Sequence, residues 1–255
     1  MPRVSTGESV LARAVRIFDV FTAAQRAVTI TDIARRAGLH VATASRLVAE
    51  LVEHGLLVRT PDGRVQIGIR MWELAQRASP TLSLREAAMP FLEDVHDIVG
   101  HHVQLGVLDG TEVLFIERLS VRGGVINFTQ IAGRLPVHAS SSGLVLLAFA
   151  PGELQERVLT GPLKQFTTHT ITRPGRLRTV LAGIRRDGYV ITNGHLHPDA
   201  TGTAVPISHD GTVVAALSAI VPNNRQANAV VPVLRTAARG ITRALNGPSA
   251  DSSHP

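Results

Sequence analysis

Cysteine is absent from the 255 residues, which excludes disulfides, thiolate metal sites and cysteine nucleophiles and leaves the redox compartment open. No uninterrupted apolar run approaches the ~20 residues that span a bilayer, and residues 1–10 lack a basic stretch followed by an apolar one. A soluble cytoplasmic protein with no membrane partner is therefore expected. Lysine is nearly missing too, since all of the 26 basic residues except Lys164 are arginine. Also absent are the Gly-x-Ser-x-Gly nucleophile elbow, the Gly-x-x-x-x-Gly-Lys phosphate loop and a dinucleotide fingerprint. No catalytic triad can be named, and no cofactor is expected. Eleven histidines make metal binding worth weighing. His195 and His197 would share one face of a strand, but no Asp, Glu or further His stands at ligand spacing and Pro198 follows, so they read as polar loop residues. His101 and His102 would point to opposite sides of an extended chain. No metal site is assigned.

What is present suits two cores, since the hydrophobic fraction is 44% in a chain longer than one small domain. The formal charge of +6 favours a polyanionic partner without identifying one. Residues 1–70 hold ten arginines against six acids, so +4 of that charge lies in the first quarter of the chain.

Leu11, Ala14, Val15, Phe18 and Phe21 recur at helical spacing over residues 9–22. Thr29 and Asp32 then open a second helix in the manner of a capping box, with Ile30, Ile33, Ala34 and Ala37 on one stripe before Gly38. A third helix over residues 40–54 buries Ala44, Leu47, Val48 and Leu51 and stops at Gly55. Its first turns present His40, Val41, Ala42, Thr43, Ser45 and Arg46, the part of a recognition helix that enters a major groove. Over residues 56–68 the period changes to two around Thr60-Pro61-Asp62-Gly63, giving a hairpin wing with Arg59 and Arg64 beside its tip. A winged helix-turn-helix over residues 1–70 follows, with double-stranded DNA as its partner. The same motif also serves protein binding, and any single arginine can be merely solvated.

Met71, Trp72, Leu74 and Ala75 suggest a linking helix within residues 71–83, broken near Ser79-Pro80. A larger mixed α/β domain is expected over residues 84–247, with hairpin turns at Asp109-Gly110 and Asp210-Gly211. Strands are expected at residues 189–191, 202–207 and 212–220, and helices at 84–99, 143–149, 153–159, 177–187 and 225–245. Residues 248–255 read as a disordered tail. Ser140, Ser141, Ser142 and Gly143 lead directly into the apolar run 144–149. Unpaired amides and hydroxyls at such a helix start can hold a carboxylate, though the same serines suit ordinary capping equally well.

The run Ile33-Ala34-Arg35-Arg36-Ala37-Gly38-Leu39, with Thr43, Arg46-Leu47, Leu51 and Gly55-Leu56, resembles the helix-turn-helix of the IclR-type bacterial transcriptional regulators. The resemblance continues through Gly133, Pro136, His138-Ala139 and Gly143, then Thr167, Thr170, Asp187-Gly188-Tyr189 and Ala204-Val205-Pro206, and covers residues 9–245. His40, Val41 and Ala42 depart from it, standing where the family often has proline, a basic residue and serine. The resemblance implies an α+β chain of two domains, the second a GAF-like effector-binding domain, and a homodimer or dimer of dimers on a palindromic operator. By position it also implies an effector site of Ser140, Ser141, Ser142, Thr192, Gly202, Ser218 and Ile220. Thr192, Gly202 and Ile220 replace more polar residues of the acid-sensing members, and Leu144 replaces a common lysine. Fewer donors disfavour a compact, highly polar acid, and Gly202 and Ile220 are expected to make the pocket roomier and more apolar on one side. A larger, partly apolar ligand such as an aromatic acid is expected, its polar end at the serines and its body toward Ile220 and Phe128. Two other classes stay open: an enzyme, which would turn its ligand over, and a nucleoid-type protein, which would bind DNA without sequence preference.

Overall fold

The computed structural model describes residues 8–22, 24–77, 80–121, 131–224 and 227–247. Two compact units divide the chain, Met1–Ser79 and Pro80–Pro255.

In the first unit, α1 (Val10–Phe18) starts at Ser9, whose Oγ accepts from the Ala12 amide at 3.0 Å. It ends earlier than the apolar spacing suggests, and its inward face is carried by Ile17, with Val20 beyond its end, while Leu11 and Val15 are exposed. A two-residue strand, β1 (Ala27–Val28), precedes α2 (Ile30–Arg36). Thr29 caps α2: its Oγ1 accepts from the Asp32 amide at 3.1 Å and donates to the Asp32 carboxylate at 3.0 Å. α3 (Val41–Glu53) follows, then the hairpin β2 (Leu57–Arg59) and β3 (Val65–Ile67) and the helix α4 (Ile69–Arg77). The sheet order is β1-β3-β2, all antiparallel. Ile17, Ile33, Leu47, Val48, Leu57 and Val65 fill the core between helices and sheet.

The second unit begins with α5 (Pro80–Val99), a turn earlier than residue 84, because proline is tolerated at the start of a helix, where its missing N–H has no partner to lose. A six-stranded antiparallel sheet is built from β4 (His102–Asp109), β5 (Glu112–Leu119), β6 (Arg134–Pro136), β7 (Val190–Asn193), β8 (Ala200–His209) and β9 (Thr212–Pro222). Its order is β6-β5-β4-β9-β8-β7. Between β6 and β7 lie α6 (Ser141–Phe149), α7 (Gly152–Thr160) and α8 (Pro174–Asp187), and α9 (Ala227–Leu245) closes the unit.

Side chains alternate across a strand, so each face of this sheet serves a different layer. On β9, Ala215, Leu217, Ala219 and Val221 pack against α5 and α9 together with Leu92, Val95, Leu234 and Ile241. The intervening Ala216 joins the opposite layer with α6, α7 and α8, where Leu144, Leu147, Leu177 and Leu181 are fully buried. α6 is the pivot of that layer, with every residue from Ser141 to Ala148 buried. Gly143 makes this possible, since a Cβ there would come within 2.4 Å of the Val137 carbonyl oxygen. Glycine at this position lets the first turn of α6 sit directly on the preceding backbone.

Candidate functional site

In the first unit, the expected DNA-facing residues gather at the start of α3 and the tip of the wing. His40 is the N-cap of α3 without a side-chain capping bond, and His40, Val41, Ala42 and Arg46 are exposed while Thr43 and Ser45 are half-buried. Burial of Ala44, Leu47 and Val48 on the opposite side fixes which face is presented. At the wing, the Gly63 amide donates to the Thr60 carbonyl at 2.9 Å and the Thr60 amide to the Arg64 carbonyl at 2.9 Å, closing the turn as its Pro-Asp-Gly composition leads one to expect. Arg59 and Arg64 are both exposed, and Arg64 Nε lies 3.2 Å from an Asp62 carboxylate oxygen. Such a surface pair contributes little to stability.

In the second unit, the polar positions expected at the effector site come together. Cross-strand partners run Thr192↔Gly202 between β7 and β8 and Gly202↔Ile220 between β8 and β9, placing these three in one row on the α6 face. Ser218 lies in the next row beside Ala204 and Gln104. A cavity of about 440 Å³, counting its open mouth, lies over these rows and is lined by Ser140, Ser141, Ser142, Thr192, Gly202 and Ile220 among others. Ser218 stands behind the wall, accepting a 2.8 Å hydrogen bond from Ser142 Oγ. Phe128 lies outside the described residues.

The helix start behaves in two ways at once. Ser140 Oγ caps α6 by accepting from the Gly143 amide at 3.1 Å, and Thr192 Oγ1 donates to the Gly202 carbonyl at 3.0 Å. Among the described residues, no acceptor pairs with the main-chain amides of Ser141 and Ser142 or with the Ser141 hydroxyl, although Ser141 is only 2% exposed. Capping thus falls to Ser140, while the amides of Ser141 and Ser142 keep free hydrogens at the helix start.

Gly202 acts differently from the expectation that it opens the cavity. A Cβ at this position would lie 2.7 Å from Ser141 Oγ and 2.9 Å from Thr192 Oγ1, so the space gained by losing a side chain is already filled by those two hydroxyl groups. The glycine admits close approach of α6 to β8; it does not add room. The apolar side of the cavity comes instead from Phe115, Leu135, Leu196 and Ile220.

His195 and His197 were not expected at the site, yet both line the cavity, from the loop between β7 and β8. That loop is tied down by threonines. Thr170 Oγ1 donates to the His195 carbonyl at 2.6 Å, and Thr167 Oγ1 donates to the Gly194 carbonyl at 2.6 Å. Burial first, then the charges of Arg176 and His169, push the His195 imidazole down to about 4. Its Nδ1 is buried with no hydrogen-bond partner. No pattern of spacing points to this residue, because the burial depends on a hydrogen-bonded loop closure 25 residues away in sequence. Among the described residues no serine of the cavity is hydrogen-bonded to an imidazole, and no group of three metal-ligating side chains occurs.

A winged helix-turn-helix on one unit and a sheet-backed cavity with free helix-start amides on the other define a DNA-binding regulator with a small-molecule sensing domain. Residues 10–61 match the IclR helix-turn-helix domain and residues 76–244 the bacterial transcriptional regulator IclR C-terminal domain. The chain belongs to the IclR family of bacterial transcriptional regulators. It is 30% identical over 244 residues to the HTH-type transcriptional regulator XynR of Escherichia coli K12, covering 93% of this chain and 97% of that one. The crystal structure of an IclR homolog from Microbacterium hydrocarbonoxydans complexed with 4-hydroxybenzoate is 49% identical, with a TM-score of 0.90 and coverage of 93% and 99% of the two chains. An IclR homolog from Microbacterium sp. strain HM58-2 is 47% identical, with a TM-score of 0.64 and coverage of 95% and 100%. The expected α+β architecture with an effector-binding C-terminal domain is the one observed, and no described helix is long and apolar enough to cross a membrane.

Proposed function

We propose that the chain is an operator-binding regulator whose effector is a single-ring aromatic acid of the hydroxybenzoate class. The observation that carries this is the cavity itself: free amides of Ser141 and Ser142 and the Ser141 hydroxyl at one place, and Phe115, Leu135, Leu196 and Ile220 around the rest. A carboxylate at the helix start meets donors and the positive end of the α6 dipole, and a flat ring fills the apolar remainder. The 49%-identical relative complexed with 4-hydroxybenzoate lends independent support.

His40, Val41, Ala42, Thr43, Ser45 and Arg46 face the major groove in this reading, and Arg59 and Arg64 anchor the wing to backbone phosphates. The functional unit is a homodimer, able to pair further. Its support is the exposure of Leu11, Val15, Ile69, Trp72 and Leu74 on the first unit, large apolar side chains that a partner subunit would cover. The ligand is bound and released unchanged, with no turnover.

Calorimetry and thermal-shift screening test the effector. Saturable binding of a hydroxybenzoate, recovered unaltered, and a change in operator affinity in its presence are expected. Tight binding of glyoxylate or pyruvate with no response to any benzoate would refute the assignment.

A further inference from the structure

We propose that His195 reads a second polar substituent of the effector, so that the cavity selects an aromatic acid carrying a neutral hydrogen-bonding group, a ring hydroxyl foremost, over the same acid without it. The inference rests on the aromatic-acid reading above and adds to it which side chain sets the choice within that class.

Elimination among the polar side chains of the wall leads to this residue. Thr192 Oγ1 and Ser142 Oγ give their hydrogens to the Gly202 carbonyl and to Ser218, and Ser140 Oγ, which accepts from the Gly143 amide, belongs to the helix start. Gln104 and His197 have interactions of their own. Ser141 and His195 keep hydrogen-bonding capacity in hand. Ser141 belongs to the helix start, where a carboxylate is satisfied by amides. His195 is a second polar station, carried by the loop between β7 and β8 and not by α6.

The chemistry of that station matches a hydroxyl better than a carboxylate. An imidazole held neutral at physiological pH brings no positive charge to an anion, while it offers one nitrogen as donor and the other as acceptor. A phenolic hydroxyl both donates and accepts, so it meets either tautomer. His195 lines the cavity, so a ligand hydroxyl within reach of the imidazole gives the ring a hydrogen-bond partner that a bare ring edge does not offer. The station is also set in advance. Besides holding the His195 carbonyl, Thr170 Oγ1 accepts from the amides of Phe166 at 3.1 Å and Thr167 at 2.9 Å, so the loop carrying the imidazole is fixed by a closed hydrogen-bond cluster. Little ordering remains to be done when the ligand arrives.

Calorimetry on the full chain, with benzoate and the three monohydroxybenzoate isomers as probes, tests the assignment in the unaltered protein, in His195→Leu and in His195→Asn. Asparagine keeps an uncharged hydrogen-bonding side chain at this position and serves as the conservative rescue. The unaltered protein is expected to bind its preferred hydroxybenzoate at least about tenfold more tightly than benzoate. In His195→Leu that ratio should fall to within about threefold, with benzoate bound no worse than before, and His195→Asn should restore part of it. The ratio, not the absolute affinity, is the readout, so a general loosening of the pocket does not imitate the result. Undiminished discrimination in His195→Leu, or none in the unaltered protein, overturns the role of His195 while leaving the aromatic-acid reading in place. Failure of every benzoate to bind overturns both.

Discussion

The depression of His195 has a consequence for stability that can be measured without any ligand. In the unfolded chain the imidazole takes up a proton near its ordinary value of 6.5, whereas in the folded chain it does so only near about 4. Between those values the unfolded state binds more protons, so lowering the pH through this window draws the chain toward unfolding; above 6.5 the full contribution is present. His138 is shifted in the same direction, its burial outweighing the bond from its ring to the Lys164 carbonyl, and adds to the slope. Denaturant unfolding between pH 7 and pH 4 should therefore show falling stability, and His195→Gln should remove a share on the order of 2 kcal/mol of that fall. An identical pH profile in the variant would contradict the assigned burial. At this scale the sequence was legible in part. Serines ahead of an apolar helix announced a polar helix start, but residue size alone suggested the wrong consequence for Gly202. What fills the space of a missing side chain is a property of the neighbouring helix, and no local pattern encodes it.

Among the elements, the recognition helix and the wing make separable demands on DNA. Arg64 sits on a turn whose geometry comes from its own backbone bonds, so Arg64→Ala should leave the wing intact and weaken all sequences alike, flattening the salt dependence by about one unit. Arg46, exposed on the side of α3 proposed to enter the groove, should behave differently: Arg46→Ala is expected to cost about 1–3 kcal/mol and to relax base preference at one position. Salt titrations and specificity profiling of the two variants check this, and unchanged binding in both would remove these residues from the interface. The long elements were readable because their periodicities are sustained, as in α3, β8 and β9. Two of the short ones were not, although β2 and β3 were betrayed by the turn between them. β1 has two residues and β6 three, too few to alternate, and each exists only because a neighbouring strand supplies its partners, β3 in one case and β5 in the other. α1 misled for the opposite reason: it carries apolar residues on more than one face, so its pattern did not reveal that Ile17 points inward and Leu11 outward.

For the whole molecule, a dimer on a two-fold symmetric operator should protect two half-sites about 34 Å apart, one helical turn, on the same face of the duplex. Footprinting together with sedimentation of the complex examines this, and a monomer protecting one unsymmetrical half-site would refute it. The alternation along β9 has a further meaning on a longer timescale. Leu217, Ala219 and Val221 are committed to the layer with α5 and α9, while Ser218 and Ile220 between them face α6 and the cavity side. Substitutions in the second set can accumulate across generations while the first set keeps the domain folded, and neither set belongs to the unit that touches the operator. A lineage built this way can change the chemical it answers to while keeping both its scaffold and its regulatory address, and a laboratory wishing to retune it as a biosensor would find the adjustable positions already segregated on every second residue of one strand.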